Sequence, residues 1–179
     1  TDFASQTSSY STGPIAIRPA TSNLSGYMGV AEVTMKSLMN EAATVQNEYM
    51  KALEQAGWMT LLDPARVKRD KGLVESRAIV ANATAVVERY RPKAIGVYDT
   101  MQQKAALAAF RSDSFRREFL DGVNKGVATG KKNTVASWDY EARILKEYGA
   151  VVELLARREG HFEIAADNQV VFEADADAD

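Results

Sequence analysis

Residues 30–56 read Val30-AEVTMKSLMNEAATVQNEYMKALEQ-Ala56. Leu38, Ala42, Val45, Tyr49, Ala52 and Ala56 recur at steps of four and three, which on a 3.6-residue repeat sets them along one face. Lys36, Asn40, Glu48 and Lys51 fall mainly elsewhere, and Glu32 with Lys36 makes an i,i+4 pair of opposite charge. Gly57 supplies a stop. A long segment that is apolar on one side only has to bury that side against other helices, so this stretch points to a mainly α fold.

On the C-terminal side, Trp58, Met59, Leu61 and Leu62 form an apolar connector expected to tuck under a bundle. Asp63-Pro64 joins an N-cap to a first-turn proline. A helix is expected from there through Val67, Val74, Ala78, Ala81 and Ala85, with Ile79, Val86 and Tyr90 widening its stripe. Pro92 must kink that helix or separate two helices, because it lacks an N–H and crowds the preceding turn. The pattern resumes from Ala94 through Val97, Met101, Ala105, Ala108 and Phe110. Ser112-Asp113-Ser114 is expected to cap a shorter helix carrying Phe115, Phe119 and Val123.

The last long helix is expected over Thr134 to Arg158, with Val135, Trp138, Ala142, Leu145, Gly149 and Val152 on its stripe and Gly160 as its stop. Beyond Gly160 the period drops to two. Phe162 and Ile164 alternate with polar neighbours, Asp167-Asn168 is turn chemistry, and Val170 and Phe172 alternate again. The predicted architecture is a four- to five-helix bundle with a small C-terminal β-hairpin, over residues 30–172. A Ser/Thr-rich flexible arm or linker is expected at 1–29 and a disordered acidic tail at 173–179.

Composition removes several classes of chemistry. The 179 residues include no Cys and one His, which excludes thiol catalysis, disulfide scaffolds and thiolate zinc sites, and leaves little for imidazole chemistry. No uncharged apolar run approaches the ~18 residues that a membrane-spanning helix needs. Residues 1–29 hold ten Ser/Thr and two charges, Asp2 and Arg18, too polar a mix to order itself. Residues 63–160 carry nineteen positive and thirteen negative side chains, whereas 161–179 carry six negative and none positive. A basic body with an acidic end therefore lies behind a formal net charge of −2.

Few residue patterns suggest a site. Arg66, Lys68, Arg69 and Lys71 cluster at the start of the second expected helix, where cations oppose the helix dipole. They are the candidate partner-binding residues. A solvated face is the plainer reading, and the chain's own acidic end or an acidic partner is the functional one. Nucleic acid is disfavoured, because Asp70 and Glu75 interleave the run and no aromatic accompanies it. Gly122, Gly126 and Gly130 lie four apart. A loop at a fraying helix end is preferred there over a packing ridge. Thr129-Gly130-Lys131-Lys132 fails as a phosphate loop, since Lys125 and Lys132 stand where Gly and Ser/Thr belong. His161 reads as a surface residue, Glu41 and Glu48 lack the Glu-x-x-His partners of a di-iron site, and Ser76 lacks a Ser-x-x-Lys partner. Asn23-Leu24-Ser25 and Asn82-Ala83-Thr84 match glycosylation acceptors without further support. No catalytic, metal-binding or cofactor-binding residue is assigned, and no cofactor is expected.

The C-terminal third carries a resemblance. A long helix with Leu154-Leu155-Ala156-Arg157-Arg158, the Gly160 stop, and the alternating His161-Phe162-Glu163-Ile164 and Gln169-Val170-Val171-Phe172 is similar to exported bacterial helical proteins of the YiaF-like lipoprotein group. The likeness spans about Asp63 to Phe172 and includes long helices with an interior proline. It implies an α-helical, periplasmic or membrane-anchored protein and supplies no catalytic residues. The chain opens at Thr1 rather than Met, which fits a mature chain whose targeting peptide is gone, and with no lipid-accepting Cys in the chain an anchor would have to lie upstream. The expected function is that of a non-enzymatic, exported or envelope-associated helical protein acting through protein–protein contacts. One alternative is a small-ligand or lipid carrier whose pocket is lined by Trp58, Trp138, Met101 and Tyr148. Another is an inhibitor or immunity-type protein, and a cytoplasmic location is the alternative to export.

Overall fold

The computed structural model describes residues 14–165 and 170–172. The fold is mainly α with a small C-terminal antiparallel hairpin. The described residues form helices α1 (Gly26–Gln55), α2 (Pro64–Arg69), α3 (Val74–Leu107) and α4 (Asp113–Arg157), then strands β1 (Phe162–Ile164) and β2 (Val170–Phe172). Helix α1 begins at Gly26, so residues 26–29 belong to it rather than to the arm. The expected acidic tail, the Asp167-Asn168 turn and residues 1–13 lie outside the described residues.

Asp63 caps α2 as its sequence predicts, accepting from the N–H groups of Ala65 (2.8 Å) and Arg66 (3.0 Å). The helix expected from there to Tyr90 is broken, however. Gly72 has φ +67° and Leu73 φ +50°, a left-handed pair that cannot continue a right-handed helix. Asp70 then restarts the chain, accepting from the N–H groups of Glu75 (2.9 Å) and Ser76 (2.7 Å) at the head of α3. A second capping aspartate thus divides one apolar pattern into two helices.

Pro92 does not separate two helices, and one expected break is absent. Helix α3 runs through Pro92, and α4 is a single helix of 45 residues where two were predicted. Helical glycines cost roughly 1 kcal/mol each relative to alanine, a penalty that packing along an amphipathic face can exceed. Gly122, Gly126 and Gly130 therefore lie within a helix, and the loop reading is corrected.

The chain divides into two compact units, and α1, α3 and α4 each contribute a segment to both. The first comprises the residues up to Met50 together with Tyr90–Val135. Leu38, Tyr49, Val97, Ala105 and Val127 are buried there. Tyr27, Phe110, Phe115 and Phe119 form a run of ring contacts 4.3–5.3 Å between centroids. Tyr98 bonds Thr134 (2.8 Å) and lies so close to Gly130 that a Cβ there would stand 2.6 Å from the ring. Gly130 is thus a close-approach point.

The second unit comprises Lys51–Arg89 and the residues from Ala136 onward. Leu61, Leu73, Ile79 and Val152 form its buried cluster, with Trp58, Val67, Val80, Tyr148 and Leu155 packed against it. Trp58 meets Tyr148 edge-on at 5.2 Å, and Arg77 clamps Glu153 through two bonds of 2.7 and 2.9 Å. That clamp holds the Glu153 carboxyl below its ordinary range. In the hairpin, Phe162 pairs with Phe172, Glu163 with Val171 and Ile164 with Val170.

Candidate partner-binding surface

The basic cluster is dispersed by the fold. Arg66 is buried. Its guanidinium donates to the carbonyls of Thr60 (2.9 Å) and Leu61, to Asp70 (3.1 Å) and to Ser76 Oγ (2.9 Å). It holds the connector, α2 and the head of α3 together, and offers nothing to a partner. Asp70, with a side chain only 3% exposed, also accepts from Ser76 Oγ at 2.6 Å. Burial pushes its carboxyl upward, but the bonds from Ser76, the backbone N–H groups and Arg66 outweigh that and hold it below the ordinary range.

Lys68, Arg69 and Lys71 are exposed. Lys68 and Lys71 border a cleft of about 370 Å³ whose lining includes Glu159 and Glu163. Glu159 also accepts the Gly72 N–H at 2.7 Å. Lys68 and Lys71 thus share this cleft with carboxylates of their own unit. His161, in the same region, is exposed.

A more organised polar site lies on α1, where sequence reasoning assigned none. Residues 15–22 run as an extended strap anchored to side chains of α1. Asn47 accepts from the Ile15 N–H (2.7 Å) and donates to the Ile15 carbonyl (2.9 Å). Asn40 does the same to Arg18, at 3.2 and 2.6 Å. Lys36 donates to the Thr21 carbonyl (2.8 Å), and Ser22 donates to Glu32. The Glu32 carboxyl is held below its ordinary range chiefly by Lys36, 2.8 Å away, and then by Ser22.

The spacing has a simple cause. Asn40 and Asn47 are seven residues apart, about 10.5 Å along a helix. Ile15 and Arg18 are three apart, about 9–10 Å along an extended chain. The anchors at 15, 18 and 21 follow the three-residue period of a polyproline II helix, and Pro14 and Pro19 restrict φ accordingly. Ile15 and Ile17 are 50% and 54% exposed, so the strap is held by its backbone rather than by its apolar side chains.

Beside the strap, α1 leaves Met28, Met35, Met39 and Met50 exposed. Their separations of seven, four and eleven residues set them on one stripe. The residues expected to line a carrier pocket, Trp58, Trp138, Met101 and Tyr148, fall in both units. Trp58 and Tyr148 pack with the second unit's core and Trp138 is buried, whereas Met101 lines a groove of the first unit. That groove holds about 350 Å³ and is lined by Met35, Leu38, Phe119, Gly122, Val123 and Gly126 among others.

Among the described residues no group of His, Asp or Glu is placed to hold a metal ion, and no helix is long and apolar enough to cross a membrane. No protein-family model, curated protein or solved structure matches this chain. The strap could have been sought in the sequence as Asn40 and Asn47 at a seven-residue step, with Pro14 and Pro19 flanking a short apolar segment. Nothing in that pattern names the segment the asparagines receive.

Proposed function

We propose that this chain is a non-enzymatic helical protein that acts by contact with another polypeptide, in an exported or envelope-associated setting as the family resemblance implies. The observation that carries the reading is the exposed methionine stripe Met28-Met35-Met39-Met50 on α1. Flexible, polarisable thioethers adapt to partner surfaces, which suits methionines left exposed along one helix face to such contacts. Site-specific photo-crosslinking in the cells that make the protein tests it. Crosslinkers at Met28 and Met39 should trap one common protein that a crosslinker at exposed Glu147 does not. Loss of that capture in Met39→Lys is expected too. Equal capture from all three positions, or none, would refute the reading.

A second reading, a carrier of small apolar molecules, has one observation in its favour. Gly122 and Gly126 line the groove, and a Cβ at either would meet nothing within 4 Å. These helical glycines answer to no close neighbour; what they do is leave the groove open. Solvent extraction of gently purified protein should then yield a stoichiometric apolar molecule, which Gly122→Leu would exclude.

A further inference from the structure

We infer that the asparagine face of α1 is a docking site for residues 14–22 of a second copy of this chain, so that the protein self-associates by exchanging its strap. This goes beyond the methionine-stripe reading, because it uses a different face of α1. The segment shown to fit the face is the chain's own, with bonds at Ile15, Arg18 and Thr21 that all go to backbone atoms. Such contacts transfer unchanged to an identical segment from another molecule, which is the low-cost route to a swapped dimer. Ile15 and Ile17 stay exposed, so the strap is not tied to its own unit by buried apolar side chains. Its connection to α1 passes through Gly26, at φ +63° with open space where a Cβ would lie, a pivot about which the strap can be directed away from its own helix.

The tethered strap competes with any incoming one at an effective concentration on the order of millimolar. Exchange is therefore favoured at high local concentration, and disabling the strap in cis should expose it.

Two full-length variants separate the roles. In the receiver, I15P/R18P, both strap N–H donors are removed at positions where extended backbone tolerates proline, and the face is intact. In the donor, N40A/N47A, the strap is intact and the face keeps only its Lys36 and Glu32 contacts. Unlabelled donor is titrated up to ~1 mM into ¹⁵N-labelled receiver while the side-chain amide signals of Asn40 and Asn47 are followed. Those two signals should shift saturably, and at least tenfold less donor should be needed than for a wild-type chain whose face is already covered. A donor that also carries I15P/R18P should cause no shift. Unmoved asparagine signals would overturn the proposal, and so would an equal response to a proline-containing peptide unrelated to residues 14–22, which would make the face a general binder of extended chains. Failure here leaves the crosslinks at Met28 and Met39 standing, because the strap's bonds go to Glu32, Lys36, Asn40 and Asn47.

Discussion

Replacing Arg66 with alanine should destabilise the protein through a nearby carboxylate that loses its counter-charge. The Arg66 and Asp70 side chains are 8% and 3% exposed, so water cannot take the place of the lost contact. The substitution removes the donors to the Thr60 and Leu61 carbonyls and to Asp70. Breaking a buried pair by deleting one partner costs about 3–5 kcal/mol. Asp70 keeps Ser76 Oγ and the N–H groups of Glu75 and Ser76, which places the loss at the low end, about 3 kcal/mol. For a chain of this size that corresponds to a melting temperature lower by about 6–12 °C. Urea unfolding followed by far-ultraviolet circular dichroism measures it, with tryptophan fluorescence reporting on Trp58 and Trp138 in the same unit. Lys68→Ala and Lys71→Ala, which remove solvent-exposed charges of the same sequence cluster, should stay within about 0.5 kcal/mol of wild type. An Arg66→Ala midpoint inside that band, or a Lys68→Ala loss as large, would refute the assignment of Arg66 to the interior framework.

The same network sets an acid limit. The folded Asp70 carboxyl titrates below its unfolded value of about 3.9, so its contribution is complete above that pH and is lost as pH falls through the lower folded value. The urea midpoint should therefore hold from neutral pH to about 5 and drop below about 4, with a shallower drop in Asp70→Asn. Gly130→Ala should destabilise by about 1–3 kcal/mol, since its Cβ would stand 2.6 Å from the Tyr98 ring. Gly126→Ala, facing open space, should instead stabilise by up to about 1 kcal/mol, and thermal melts of the two variants give the comparison. Gly72→Ala forces an alanine to φ +67° and should cost about 1–2 kcal/mol in the same assay.

How far the sequence could be read depended on the range of the interaction concerned. The apolar stripe of α1, the Asp63-Pro64 start, the Gly57 and Gly160 stops and the period-two hairpin are all local signals, each settled within a few residues by backbone sterics and side-chain spacing. Where a local cost competes with distant packing, local signals misled. Gly126, Gly130 and Pro92 each disfavour helix, yet α3 and α4 continue through them. Asp70 and Gly72 look like an ordinary polar pair within a periodic run, yet they end one helix and start the next.

Side-chain roles were less legible still. Arg66, Lys68, Arg69 and Lys71 are equivalent as charges in a sequence. Only the fold turns Arg66 inward, onto carbonyls five and six residues earlier in the chain and onto Ser76 ten residues later. Asn40 and Asn47 read as the polar side of an amphipathic helix, and their use as backbone anchors depends on a strap 22 and 32 residues away. The sequence alone therefore determined that this chain is mainly helical, because hydrophobic period acts through short-range preferences. Which cation is buried, which glycine is crowded and which asparagine holds a strap were decided by tertiary structure, because each depends on a neighbour brought close by folding rather than by order along the chain.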